Sequence, residues 1–343
     1  MSRFKERLLV TGGCGFIGSH FVNHYYYENP DCHIINIDAM YYCASQENVL
    51  PEIRDSSRYT FIKGNLCSLD FVSHILEVYQ INRVVHFAAQ SHVQNSFEDS
   101  LQYTNDNVLG THTLLEACRR YSGGIQKSCG NGIQGSAGIQ KFIGGIQKFI
   151  HISTDEVYGE SMLGSDSDKK TEESVLCPTN PYAATKAAAE LIAQSYYHSF
   201  KMPILITRGN NVYGPNQYPE KLIPKFIQQL KAGENVTIQG DGSNVRAFLH
   251  VKDVCRALTL VLEKGEVGEI YNIGSDEDSE YSVLEIARML IKMVFPELED
   301  VDKKITYVED RPFNDKRYYI SNDKVKKLGW EIEVDFMEGL RGV

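Results

Sequence analysis

The stretch HISTDEVYGE (151–160) sets two hydroxyls, Ser153 and Thr154, directly before two carboxyls, Asp155 and Glu156. The run KFIHIST leading into it has the apolar, β-branched character of a buried strand, and a buried charge is costly unless paired or neutralised. Acids at the end of such a strand therefore need either the solvation of a loop or a use in proton chemistry. Two carboxyl groups held together can adopt different protonation states and work as acid and base. Neighbours on a regular strand point to opposite faces, so both reach one ligand only where the strand has ended and the backbone turns.

NPYAATKAAAE (180–190) places Tyr182 and Lys186 four residues apart, on one face of a helix. A phenol with its usual pKa near 10 is a poor base, and a nearby ammonium makes the phenolate accessible. Such a pair also arises by chance on many helices. Ala183, Ala184, Ala187, Ala188 and Ala189 allow close approach of a neighbour, although high helix propensity explains them equally well.

In LLVTGGCGFIGSH, Gly12, Gly15 and Gly18 follow a strand and open a helix. Glycines suit the tight turn, the approach of backbone to a pyrophosphate and close helix–strand packing, and the anion rests on free N–H groups at the helix start. Asp38 ends the next strand twenty residues beyond Gly18. An acid there accepts from both ribose hydroxyls and repels a 2′-phosphate, which favours NAD over NADP. Cys14, inside the loop, reads as a small filler.

These residues need a scaffold that gathers strand ends. RLLVT, HIINID, YTFIKGN, RVVHFAA, KFIHIST and ILITRG read as buried parallel strands, with helices FIGSHFVNHYYYE, LDFVSHILEVYQ and VLGTHTLLEACRRY between them. The expected fold is α/β, a doubly wound parallel sheet of Rossmann type over 1–209, with a smaller mixed α/β substrate-binding lobe over 210–343, parts of which can return to the first domain. Residues 123–147 repeat a Gly-Ile-Gln-Lys unit too short for a solenoid and read as a surface loop inserted before the strand. IQKFI occurs twice there, and only the copy running into HIST delivers the acid pair to the sheet.

Composition narrows the partners. A chain of 343 residues with net charge −10 does not read as a binder of nucleic acid or anionic membrane. No apolar run reaches the length of a membrane span, and the start MSRFKERLLV lacks a signal sequence, so a cytoplasmic protein is expected. Eight cysteines and ten histidines show no metal-ligand spacing, so no metal is expected and the thiols read as reduced packing groups.

Together with VVHFAAQSHVQNSF, TRGNNVYGPNQYPEKLIPKFI, GDGSNVRAFLHVKDV and DRPFNDKRY, these segments resemble the extended short-chain dehydrogenase/reductases, and within them the nucleotide-diphosphate-glucose 4,6-dehydratases. The acid pair in STDEVYG carries the distinction, since the family's sugar epimerases are expected to lack it. The resemblance implies that Thr154, Asp155, Glu156, Tyr182 and Lys186 are catalytic, with Glu156 as base and Asp155 as acid, an assignment the residues alone leave open. It implies NAD held by Gly12, Gly15, Phe16, Ile17, Gly18, Asp38, Asn65, Leu66, Ala88, Tyr182 and Lys186. It implies a nucleotide sugar held by Ser91, His92, Asn210, Lys221, Leu222, Arg246 and Arg311, with Arg208 and Arg317 as lesser candidate cations. Asn65 stands where an Asp is usual, Gln94 replaces another Asp, and Gln239 replaces a Tyr. The wording is closer to the dehydratase portion of plant-type rhamnose synthases than to bacterial dTDP-glucose enzymes, which favours UDP-glucose. A homodimer is implied, built from helices near 105–121 and 182–199. Val343 falls where the family pattern continues into a terminal helix, consistent with a shortened chain. A 4-epimerase, or an NAD-bound scaffold without turnover, remain the alternative readings.

Overall fold

The protein is represented by a computed structural model that describes residues 4–129, 145–161, 169–276, 279–310 and 315–343. Strands β1 (Glu6–Thr11), β2 (Cys32–Asp38), β3 (Tyr59–Lys63), β4 (Arg83–His86), β5 (Lys148–Thr154) and β6 (Ile204–Gly209) match the six expected segments. The lobe supplies β7 (Asn211–Tyr213), β8 (Val236–Gln239), β9 (Val245–His250), β10 (Ile270–Ile273), β11 (Glu280–Ser282) and β12 (Ile305–Val308).

One parallel sheet runs β3-β2-β1-β4-β5-β6-β10. Its apolar strands are covered on both faces. Leu8 and Val10 of β1 pack on one side, with Phe21 and Tyr25 of the helix Phe16–Glu28 and with Leu258 and Val261 of the helix Val251–Lys264. Leu9, between them, packs on the other side with Ile75 of the helix Leu69–Tyr79 and Leu114 of the helix Gly110–Cys129. Alternate residues of one strand thus feed two cores, as a period of two requires. Sequence order reverses between β1 and β4, which opens a crevice beyond their carboxyl ends.

The seventh strand, β10, was not among the expected strands, although a return of part of the lobe to the first domain was. It lies past residue 210 in the chain yet pairs in parallel with β6 from Ile270 to Ile273. The lobe adds a three-stranded sheet, β11-β9-β7, and a two-stranded one, β12-β8, around a third core that includes Phe226, Ile238 and Leu290.

The helix Pro181–Phe200 starts where its sequence dictates. The Asn180 side chain accepts from Ala183 N, Pro181 occupies the first turn where no N–H is needed, and Lys201 ends the helix in the left-handed region at φ +56°. Residues 130–144 of the repeat, with the first IQKFI copy, lie outside the described residues, as does Arg311. The helix from Gly110 carries the chain into the region expected as loop, to Cys129. The second IQKFI copy enters β5 at Lys148, as the acid pair required. Among the described residues no helix is long and apolar enough to cross a membrane.

Candidate active site

A cavity of about 330 Å³ lies over the crevice and is lined from every strand of the large sheet: Gly12 after β1, Asp38 of β2, Asn65 after β3, Ala88 after β4, Thr154 of β5, Gly209 of β6 and Ile273 of β10. Gly12 takes φ +73°, and a Cβ there would meet Ala88 N at 2.7 Å, so only glycine allows the turn to sit against β4. At Gly15 a Cβ would meet Gly12 O at 3.3 Å. A side chain there would crowd the Gly12 carbonyl, and the bare backbone of Gly15 lines the cavity. The helix Phe16–Glu28 starts there with no side-chain cap and no acid in its first turn, leaving its N–H groups free for an anion.

Asn36 and Asp38 hold the loop in shape. Asn36 Oδ1 accepts from Gly13 N (3.0 Å) and its Nδ2 donates to Tyr59 OH (2.8 Å). Asp38 Oδ2 accepts from Cys14 N (3.0 Å) and Oδ1 from Met40 N (2.8 Å). Burial raises the Asp38 pKa, and those two amides oppose it. Each oxygen keeps a second lone pair for a ribose hydroxyl. Burial pushes the Cys14 thiol up to about 12, an inert packing group. Asn65 Oδ1 accepts from Cys67 N (2.8 Å) and its amide donates to Tyr41 OH (3.1 Å). Phe16, Ile17, Gly18 and Leu66 complete this half of the wall. Beside it the Ser153 hydroxyl, 7% exposed, has no hydrogen-bond partner among the described residues. An open helix start, an acid at the end of β2 and an orphaned hydroxyl fit an extended anionic dinucleotide.

The other half gathers all five residues expected to be catalytic. β5 ends at Thr154 and the backbone turns through a single 3₁₀ turn, Asp155–Tyr158, capped by the Thr154 hydroxyl. That turn lets adjacent acids face one space. Asp155, 2% exposed, accepts from Asn210 Nδ2 (2.6 Å) at Oδ2 and from the Thr154 hydroxyl (3.2 Å) at Oδ1. Burial first, and the charge of Glu156 second, raise its pKa to about 7. Glu156 accepts at Oε2 from Asn180 Nδ2 (3.0 Å), and burial raises its pKa against Asn180, Arg246 and Lys221.

Tyr182 is 8% exposed, and burial and the Glu156 charge push its phenol above the ordinary value, while a hydrogen bond with Thr154 opposes them. Lys186 donates from Nζ to the Ile152 carbonyl (2.6 Å). Burial lowers its pKa to about 8, and the charge of Glu190 opposes the fall. The expected lowering of the phenol is thus not produced by this chain alone, because burial and the charge of Glu156 outweigh the Thr154 hydrogen bond.

The expected substrate contacts divide. Ser91, Asn210 and Lys221 line the cavity, with Lys221 Nζ donating to Ser91 O (2.6 Å). Asn210 is committed at both ends, since its Oδ1 accepts from Ser275 N (3.0 Å). His92, Leu222 and Arg246 are not part of the cavity wall. The His92 ring bonds Asn95 Oδ1 (2.8 Å) and lies 3.5 Å from Glu220, and Leu222 packs on the lobe's core. Arg246 sits over the Tyr318 ring at 5.1 Å and acts on both acids by its charge. Arg208 and Arg317 are not free cations. Arg208, 2% exposed, is ion-paired with Glu190, and Arg317 with Glu280 (2.5 Å).

Sequence reasoning missed Asn180, Asn36, Asp315 and Tyr318. Asp315, 3% exposed, accepts from Thr179 Oγ1 (2.8 Å) and from the phenol of Tyr318, which lies 3.5 Å from Glu156 Oε2. Asn180 alone left a readable signal, as an Asn-Pro pair opening a helix.

The GDP-mannose 4,6 dehydratase family model matches residues 9–343. The chain is 44% identical over 345 residues to the trifunctional UDP-glucose 4,6-dehydratase/UDP-4-keto-6-deoxy-D-glucose 3,5-epimerase/UDP-4-keto-L-rhamnose-reductase RHM3 of Arabidopsis thaliana, a match covering 99% of this chain and 47% of that protein. The chain thus spans about half the length of the plant relatives it matches. It is 42% identical over 340 residues to the dTDP-D-glucose 4,6-dehydratase of Mus musculus, covering 98% of this chain and 87% of the mouse protein. The crystal structure of the dTDP-glucose 4,6-dehydratase DesIV from Streptomyces venezuelae, with NAD bound, superposes with a TM-score of 0.84 at 36% identity, covering 98% of this chain and 95% of that one.

Proposed function

The chain belongs to the GDP-mannose 4,6 dehydratase family, and on that footing we propose that it is an NAD-dependent nucleotide-sugar 4,6-dehydratase that converts UDP-glucose to its 4-keto-6-deoxy product. The observation that carries the reading is the side-by-side placement of Asp155 and Glu156 in the same cavity wall as Tyr182. Oxidation at C4 alone needs only the phenol. Two acids are needed when a proton must leave C5 and a hydroxyl must leave C6.

The glycine loop and Asp38 would hold NAD, which when bound would supply hydride-transfer chemistry between C4 and C6. Tyr182, as phenolate, takes the C4 hydroxyl proton, with Thr154 beside it and the positive charge of Lys186 a helical turn away. The resulting C4 ketone acidifies the C5 proton, which Glu156 removes. Asp155 gives its proton to the C6 hydroxyl, which departs as water, and Glu156 returns a proton to C5. A pKa raised to about 7 suits Asp155 to be protonated at neutral pH.

Purified protein is incubated with UDP-glucose and with dTDP-glucose, and the products are analysed. The 4-keto-6-deoxy sugar is expected, faster from UDP-glucose. Recovery of the galactose epimer overturns the dehydratase reading, and a Tyr182→Phe variant that turns over like the parent overturns the role of the phenol. We extend the reading to a homodimer. Leu109 and Leu191 stand 47% and 56% exposed in the two segments expected to pair, apolar side chains that a second copy would cover. Sedimentation measures it.

A further inference from the structure

Each acid of the pair is held by one asparagine amide, and in both cases a backbone N–H fixes which way that amide points. Ala183 N donates to Asn180 Oδ1 (2.9 Å), and Ser275 N donates to Asn210 Oδ1 (3.0 Å). A backbone N–H can only donate, so the anchored atom is the carbonyl oxygen and the opposite end is the NH₂. Those ends are aimed at Glu156 Oε2 (3.0 Å) and Asp155 Oδ2 (2.6 Å). The two asparagines are 6% and 7% exposed, so bulk water does not replace them.

An NH₂ group cannot reverse its role. The oxygen it faces is held as an acceptor, and a carboxyl in that setting takes its proton on the other oxygen. At Asp155 the other oxygen is Oδ1, which faces the Thr154 hydroxyl (3.2 Å). A hydroxyl both donates and accepts, so Thr154 tolerates the ionised and the protonated acid alike. At Glu156 the other oxygen is Oε1. From this geometry, and resting on the dehydratase reading, we infer that Asn180 and Asn210 are paired positioning residues that assign proton transfer to Oε1 of Glu156 and Oδ1 of Asp155.

The assignment has a mechanical side. Asn180 also caps the helix that carries Tyr182, so the base and the phenol are referenced to one rigid point. Asn210 ties the acid at the end of β5 to the chain beyond β10, through Ser275. The other charged and titratable groups acting on the pair are Arg246 on both acids, Lys221 and Asp315 on Glu156, and the phenols of Tyr182 and Tyr318.

Two variants test it. Asn180→Ser keeps a good helix cap but is too short to reach Glu156. Its melting temperature should stay near the parent's and its KM for UDP-glucose should not change. Its kcat should fall ~10- to 100-fold, the value of one hydrogen bond to a charged group. Because C4 oxidation then outruns removal of the C5 proton, absorbance from reduced nicotinamide should build up in the first turnover. In Asn210→Asp the acceptor for Ser275 N remains, but a second negative charge faces Asp155. Asp155 should hold its proton to higher pH, and the alkaline limb of the kcat profile should move up. An Asn180→Ser enzyme with parental kcat and no accumulated reduced cofactor overturns the inference, as does an unmoved limb in Asn210→Asp. If the parent itself makes no 4-keto-6-deoxy product, the functional reading fails separately. The clamp is then judged on the protonated-carboxyl infrared band of the substrate-free protein. That band should persist to higher pH in Asn180→Ser, and an unshifted band overturns the clamp.

Discussion

Replacing Asp155 with asparagine should make the protein more stable while removing its proposed chemistry. Asp155 is 2% exposed, and its pKa is raised from 3.8 to about 7, by burial first and the Glu156 charge second. A group whose folded pKa lies above its unfolded one contributes stability that is complete below the unfolded value and is lost as pH rises through the folded value. Above about pH 7 the folded chain must therefore bury an ionised carboxylate that the unfolded chain leaves in water. The displacement corresponds to roughly 4 kcal/mol at most. Asparagine has nearly the same shape, cannot ionise, and can present its carbonyl to Asn210 Nδ2. The variant should melt higher than the parent by up to about 5 °C near pH 8. The difference should shrink towards zero by about pH 4, where the parent's acid is protonated. Melting curves of the substrate-free proteins across that range provide the measurement. Equal melting points at the alkaline end, or a gain that does not vary with pH, would refute the claim that Asp155 is held in the wrong protonation state for stability.

Glu190→Gln should cost about 3–5 kcal/mol in urea unfolding, because it leaves Arg208 buried with only an amide, Tyr158 OH (2.6 Å) and the Glu172 carbonyl (3.2 Å) as partners. It also removes the one charge that supports the Lys186 proton, so any activity that depends on the ammonium should fall off at lower pH than in the parent; an unchanged profile would show that the two groups are not coupled. Asp38→Asn should weaken NAD and admit NADP, narrowing the ratio of their dissociation constants ~10-fold or more. Fluorescence titration with both cofactors reads this directly, and a ratio that stays at the parental value contradicts the role given to Asp38.

The local parts of the site were legible because each is a short-range pattern. The glycine turn, Asp38, the acid pair and the Tyr182–Lys186 spacing are each contained in one strand–turn–helix segment, and all line one cavity. Residues whose role depends on a partner far along the chain were not legible. Arg208 read as a candidate cation until Glu190, on a different element, was seen to neutralise it. Arg317 was consumed in the same way by Glu280. Leu222 reads like its neighbour Lys221, but only the lysine lines the cavity. Asn180 was visible as a helix start, while its grip on Glu156 depends on where β5 ends relative to that helix. β10 was not singled out because IYNI is only four residues long, and its place beside β6 depends on a pairing with a strand some sixty residues earlier in the chain.

That late strand makes the molecule hard to divide. A polypeptide severed after Gly209 would lose the outermost rung of its own central sheet and the helix Val251–Lys264 that shields one face, exposing an unpaired edge at β6. The two halves should therefore melt together, resist shuffling as separate modules, and tolerate new specificities chiefly through changes in the loops that overhang the crevice.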